Sequence, residues 1–123
     1  MLFRSEAVSG DLSAVAMMRE AFARRAVTMH RMLNEIPGVN AIVPQGAFYC
    51  YPNFSALLGK PLGPNATVSS NTLELADAIL GQAKVAFVPG EAFGTPGYAR
   101  FSFAMADDDM QEGIRRIHNW VVA

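Results

Sequence analysis

"VAFVPGEAFGTPGYARFSFA", residues 85–104, holds two apolar runs separated by a loop that contains Gly90, Gly94 and Gly97 together with Pro89 and Pro96. Apolar runs rich in β-branched and aromatic residues and bounded by glycine and proline are strand signals, so the spacing predicts one strand over 84–88 and a second over 99–105. Side chains alternate across a strand. Tyr98, Arg100, Ser102 and Ala104 therefore share one face, while Ala99, Phe101, Phe103 and Met105 share the other, which reads as the core face. Arg100 projects from the opposite face, beside glycines that permit close backbone approach. Its planar fork suits a two-point grip on a carboxylate that lysine cannot reproduce. Pattern alone leaves a second reading open, since an arginine on a strand's polar face is commonly solvated or paired locally. Phe93, set among the glycines, is an apolar side chain in want of a covered place.

Upstream of this unit, "NTLELADAILGQA" (71–83) opens with a capping box, Asn71 as cap and Glu74 at the third helical position, and Leu73, Ala76, Ile79 and Leu80 read as its apolar face. Before it, "SALLGKPLGPNATVSS" (55–70) mixes Gly59, Pro61, Gly63 and Pro64 with small polar residues and reads as a long surface loop. "GAFYCYPNF" (46–54) alternates and ends at a proline, as a short strand does. From Leu12 to Ile36 the residues Val15, Met18, Phe22, Ala26, Met29, Leu33 and Ile36 recur every three or four positions, which predicts one long amphipathic helix capped by Asp11 and stopped by Pro37-Gly38. Downstream, "ADDDMQEGIRRIHNWVVA" (106–123) forms a last helix with Asp107 as cap and with Met110, Ile114, Ile117 and Val121 on its buried side. The order is helix, strand, helix, strand, strand, helix. It predicts a mixed α+β fold in two layers, a small sheet covered by helices, over residues 11–123. Residues 1–10 fit the periodic pattern poorly and read as a frayed end or a cloning scar.

Composition narrows the classes of function. With 123 residues, 51% hydrophobic and 17% charged, the chain has enough for one core and some apolar surface to spare for a partner or another domain. A net charge of −1, with no basic run longer than Arg24-Arg25 or Arg115-Arg116, lacks the field of a nucleic-acid binder. No apolar run reaches membrane-spanning or signal-peptide length. Cys50 is the single cysteine, which allows no intramolecular disulfide and fits a reducing, cytoplasmic compartment.

The remaining candidates have bland explanations. His30 and His118 lie within helices without a second ligand at metal spacing, and Asp107, Asp108 and Asp109 sit where a helix N-terminus favours negative charge, so no metal site is expected. Cys50, between two tyrosines, reads as a small core residue rather than a reactive thiol. "Gly59-Lys60" lacks the spacing of a phosphate loop, and "GEAFG" lacks the context of a dinucleotide fingerprint. No nucleophile with its own base and no carboxylate pair stands out, so no catalytic residue is assigned within these residues.

"PQGAFYCYPNFS" (44–55), "AKVAFVPGEAFG" (83–94) and "GYARFSFAMADDDMQEGIRRI" (97–117) resemble three consecutive C-terminal blocks of the class I/II aminotransferases, the aspartate aminotransferase group of fold-type I pyridoxal-phosphate enzymes. "MREAFARRAVTMHRMLNEIPGV" (18–39) is similar to the helix preceding those blocks. The resemblance covers nearly everything from about residue 10 onward. It implies the family's small domain, with Arg100 holding the substrate α-carboxylate and Phe93 lining the substrate entrance. It further implies a ping-pong transfer of an amino group between an amino acid and a 2-oxo acid, pyridoxal phosphate bound mainly by a large domain, and a homodimer. The family's Schiff-base lysine block is missing, and Lys60 and Lys84 stand in other contexts. The chain is therefore expected to be a severed small domain, inactive alone and without a cofactor-binding residue of its own. Related enzymes of the class eliminate or cyclise instead, and a stand-alone carboxylate-binding or protein-interaction module is the competing reading.

Overall fold

The structure, a computed structural model, describes residues 2–123. Of the ten N-terminal residues, Met1 lies outside the described part and Leu2–Ser9 form a helix, α1, whose described side chains are exposed. The long helix α2 spans Ser13–Asn34. Its stripe has two characters: Met29 and Leu33 are buried and Phe22 and Ala26 partly so, whereas Val15 and Met18 are 58% and 56% exposed. Asp11 does not cap the helix in the expected way. Leu12 occupies the cap, and the Asp11 carboxylate instead accepts hydrogen bonds from the Ser13 N–H and Oγ, because it stands one residue too early to reach the third helical N–H.

Strand β1 is Tyr49–Cys50, and strand pairs Pro61–Leu62 (β2) and Thr67–Val68 (β3) form a separate hairpin. The segment read as a long loop thus carries a 3-10 turn, Ser55–Leu57, and a two-stranded ribbon. Its glycine and proline content masked the pairing, which depends on the turn at Gly63 closing under Trp120, where any side chain on Gly63 would collide with the indole. The Trp120 Nε1–H donates to Gln82 Oε1 at 2.9 Å, and Gln82 Nε2 donates to Thr67 Oγ1 at 2.9 Å, tying the ribbon to two helices.

Helix α3 is Thr72–Ala83, β4 is Val88–Pro89, β5 is Ala99–Ser102 and α4 is Asp107–Val122. Both strands are shorter than predicted: Lys84 closes α3 in the left-handed region so that β4 pairs only from Val88, and β5 ends at Ser102. Asn71 does cap α3, its Oδ1 accepting from the Glu74 N–H at 2.9 Å. The apolar face of α3 is Thr72, Leu75 and Ile79; Leu73 and Leu80 are about half exposed, contrary to the sequence reading. In α4, Ala106 occupies the cap and Asp107 the first helical position. There Asp107 binds Arg24, whose Nη2 lies 2.9 Å from Oδ2, and also Arg25, so two residues of α2 occupy the carboxylate that was read as a cap. Met110, Ile114, Ile117 and Trp120 are buried, with Val121 only partly so.

The sheet is antiparallel in the order β1-β5-β4, with Tyr49 opposite Ser102 and Val88 opposite Arg100. One face presents Cys50, Ala99 and Phe101 to a single core shared with Leu33, Leu75, Ile79, Ile114 and Ile117. The predicted alternation holds through Phe103, but Met105 lies past the end of β5 and is 43% exposed. The architecture is the mixed α+β fold expected, a small sheet covered by helices. Among the described residues no helix is long and apolar enough to cross a membrane.

Candidate functional site

Antiparallel pairing places directly opposed residues on the same face. The half-exposed face of the sheet therefore gathers Tyr49, Val88, Arg100 and Ser102. Arg100 Cζ lies 4.4 Å from the centroid of the Tyr49 ring and 4.5 Å from that of Phe93. Each such contact contributes roughly 0.5–1 kcal/mol at an exposed site, comparable to a surface ion pair, and engages the π-face without consuming an N–H. Arg100 forms no ion pair among the described residues. It lines an open groove of about 480 Å³ between β4, β5 and the first turns of α4. The other cations of that groove are engaged: Lys84 Nζ donates to the Gly81 carbonyl at 2.6 Å, and Arg116 Nε to Glu112 at 2.8 Å. Arg100 is thus held in place by aromatic rings with its side-chain donors unpaired among the described residues, an arrangement that can take a planar anion edge-on.

Phe93 closes a 3-10 turn, Gly90–Phe93, and is 47% exposed. The turn folds back tightly: the Gly90 N–H donates to the Tyr98 carbonyl at 2.6 Å and the Thr95 N–H to the Gly90 carbonyl at 2.9 Å. A side chain on Gly90 would strike the carbonyls of Thr95 and Tyr98, so only glycine fits there. Tyr51 stacks on Tyr98 with ring centroids 5.2 Å apart and meets Phe93 edge-on at 6.4 Å, extending the aromatic wall. The turn's outer anchor is Glu91, whose Oε1 accepts the Thr72 N–H at 2.9 Å.

Arg100 and Phe93, the two residues singled out from sequence, are brought together. Tyr49 and Glu91 were missed: the first needed the strand register, while the second bonds across nineteen residues and leaves no local signal. Cys50 is buried, and its burial pushes the thiol up to about 11. The Asp107 carboxyl is held below its ordinary value by hydrogen bonds from Arg25 and then Arg24. His30, His118, Asp108 and Asp109 join no cluster of metal-ligating side chains among the described residues. Lys60 lies exposed just before β2.

A family model described as aminotransferase class I and II matches residues 3–117. An aspartate aminotransferase of Streptomyces avermitilis is 60% identical over 111 residues, covering 90% of this chain and 27% of the relative. A probable aspartate/prephenate aminotransferase of Aquifex aeolicus is 46% identical over 100 residues, covering 81% of this chain and 23% of the relative. Among solved structures, the aspartate aminotransferase of Rhizobium meliloti superimposes with a TM-score of 0.88 at 31% identity, over 95% of this chain and 29% of that one. The chain therefore spans about a quarter of the length of the curated relatives it matches.

Proposed function

This chain belongs to the class I and II aminotransferase family, and from that premise we propose that it works as the small domain of a longer aminotransferase, gripping the α-carboxylate of an amino acid or 2-oxo acid through Arg100. The observation that carries the reading is the aromatic clasp. An arginine intended for solvent needs no walls, and one intended for structure takes a counter-ion. Arg100 has rings on it, 4.4 Å and 4.5 Å away, and no counter-ion among the described residues. A substrate carboxylate meeting the fork in its plane forms two charge-assisted hydrogen bonds without first breaking an ion pair. Phe93 stands beside that approach and shields it from water. The role of Arg100 is orientation, bringing the substrate's reacting carbon to one position relative to groups supplied from elsewhere.

The residues described do not fit pyridoxal phosphate. Lys60 is exposed beside the hairpin, and Lys84 is fixed as the left-handed cap of α3 with its ammonium on the Gly81 carbonyl. The cofactor and the chemistry of amino transfer are accordingly assigned to a large domain outside these residues, and the chain alone is inactive. The uncovered first half of α2, with an apolar groove of about 560 Å³ lined by Val15, Met18, Phe22, Pro44 and Phe103, supports the same reading as a face for that domain. Aspartate, which both relatives carry in their names, is the proposed substrate of the full-length enzyme, and a cytoplasmic homodimer is its proposed form. In that enzyme, Arg100→Leu is expected to lower kcat/KM on the order of a hundredfold while leaving the cofactor's absorbance unchanged. Wild-type kinetics in this variant would remove the role given to Arg100.

A further inference from the structure

Glu91 is the second residue of the 3-10 turn that carries Phe93, and its side chain reaches the N-terminus of α3. There Thr72, completely buried, ties down both ends of the Gly90–Gly97 loop. Its N–H donates to Glu91 Oε1 at 2.9 Å, and its Oγ1 accepts the Gly97 N–H at 2.9 Å. The first N–H groups of a helix have no partner within the helix, and its N-terminus favours negative charge. Asn71 serves the N–H of Glu74, which leaves that of Thr72 to Glu91. The second carboxylate oxygen, Oε2, is buried and accepts no hydrogen bond among the described residues. Burying half a carboxylate unpaired is unfavourable. An ordinary surface turn has no reason to keep a glutamate under that penalty. The position makes sense when the Oε1 bond holds something that matters, and what it holds is the turn whose last residue walls Arg100.

We propose that Glu91 is a positioning residue for substrate binding: it latches the Gly90–Phe93 turn to α3 and so holds the Phe93 ring over the Arg100 guanidinium. This rests on the carboxylate-gripping role of Arg100. Without the latch the turn keeps its internal bonds, from the Gly94 N–H to the Glu91 carbonyl and from the Thr95 N–H to the Gly90 carbonyl, and moves as a unit. Arg100 then loses one of its two walls, and the fork is no longer held edge-on to an arriving carboxylate. The cost falls on binding rather than on the chemical step, because no group that handles a proton or the reacting bond is touched.

The test is steady-state kinetics on the full-length enzyme, together with hydrogen exchange at the Thr72 and Gly97 amides. Glu91→Ala is expected to raise KM for the amino acid about tenfold with kcat within about threefold. It also speeds exchange at both amides. Glu91→Gln keeps an acceptor at Oε1 and is expected to restore KM and protection to near wild type. Glu91→Asp keeps the charge but is one methylene short, so it behaves as the alanine variant and serves in its place if that fails to fold. In an Arg100→Leu background, Glu91→Ala adds nothing further, as expected of residues acting through one another. A variant that loses Thr72 protection yet keeps wild-type KM overturns the latch, as does a Gln variant no better than Ala. An unchanged KM in Arg100→Leu alone overturns the carboxylate reading instead, so the two failures are told apart.

Discussion

Cys50 and Arg100 lie one strand apart and meet opposite fates. Cys50 faces the core at 1% exposure, and burial raises its thiol to about 11, so at neutral pH it is both protonated and shielded. Ellman's reagent at mildly alkaline pH is expected to leave the folded chain unmodified and to titrate one thiol after denaturation; rapid native modification would mean that the core under β1 opens readily. Arg100 lies on the half-exposed face and has no ion pair among the described residues. Much of this was legible from residue types. Alternation in "YARFSFA" assigned Arg100 and Phe101 to opposite faces, and the glycine-flanked Phe93 signalled a special turn. The ring on Arg100's other side was not legible, because Tyr49 reaches it through a register set fifty residues away by the pairing of β1 with β5. Nor was Glu91: a cap supplied from a distant loop has no sequence signature.

At the scale of elements, periodicity held for the buried parts of α2 and α4 but not for α3, and of the three caps read from sequence only Asn71 caps as expected. The stripes of α2 and α4 predicted Met29, Leu33, Met110, Ile114 and Ile117 as buried. Both aspartates read as caps proved to be engaged otherwise, since an acidic residue near a helix start can serve the N–H groups or a basic neighbour, and tertiary contact decides. Asp107 shows the second outcome, clamping the start of α4 to the middle of α2 through Arg24 and Arg25. Pairing lowers its pKa from the ordinary 3.8. The clamp therefore contributes fully above that value and is lost as pH falls through the lower folded value. Asp107→Asn is expected to lower Tm by at most a few degrees at neutral pH and low salt, with the difference vanishing in strong acid and in about 1 M salt. A difference that persists under both conditions would mean that the aspartate acts by packing rather than by charge. The hairpin was hidden for another reason: two-residue strands carry too little alternation to be read, and theirs is fixed by contacts to Gln82 and Trp120.

At the scale of the molecule, the apolar face of α2 is divided. Its second half is core and its first half is bare, with Leu12, Val15 and Met18 along that face all more than half exposed. Scattered exposed apolar residues are ordinary, but a contiguous helical face of them is an association surface. The purified chain is expected to self-associate in sedimentation experiments as its concentration rises, and Val15→Ser combined with Met18→Ser to weaken that association. A chain that stays monomeric at high concentration would argue against an uncovered interdomain face. Trp120, the chain's only tryptophan, sits 5% exposed beneath the turn at Gly63, with its indole N–H held by Gln82. One chromophore thereby touches helix α4, helix α3 and the ribbon at once. Its emission is a built-in optical gauge, blue when all three are seated and red when any of them lifts away.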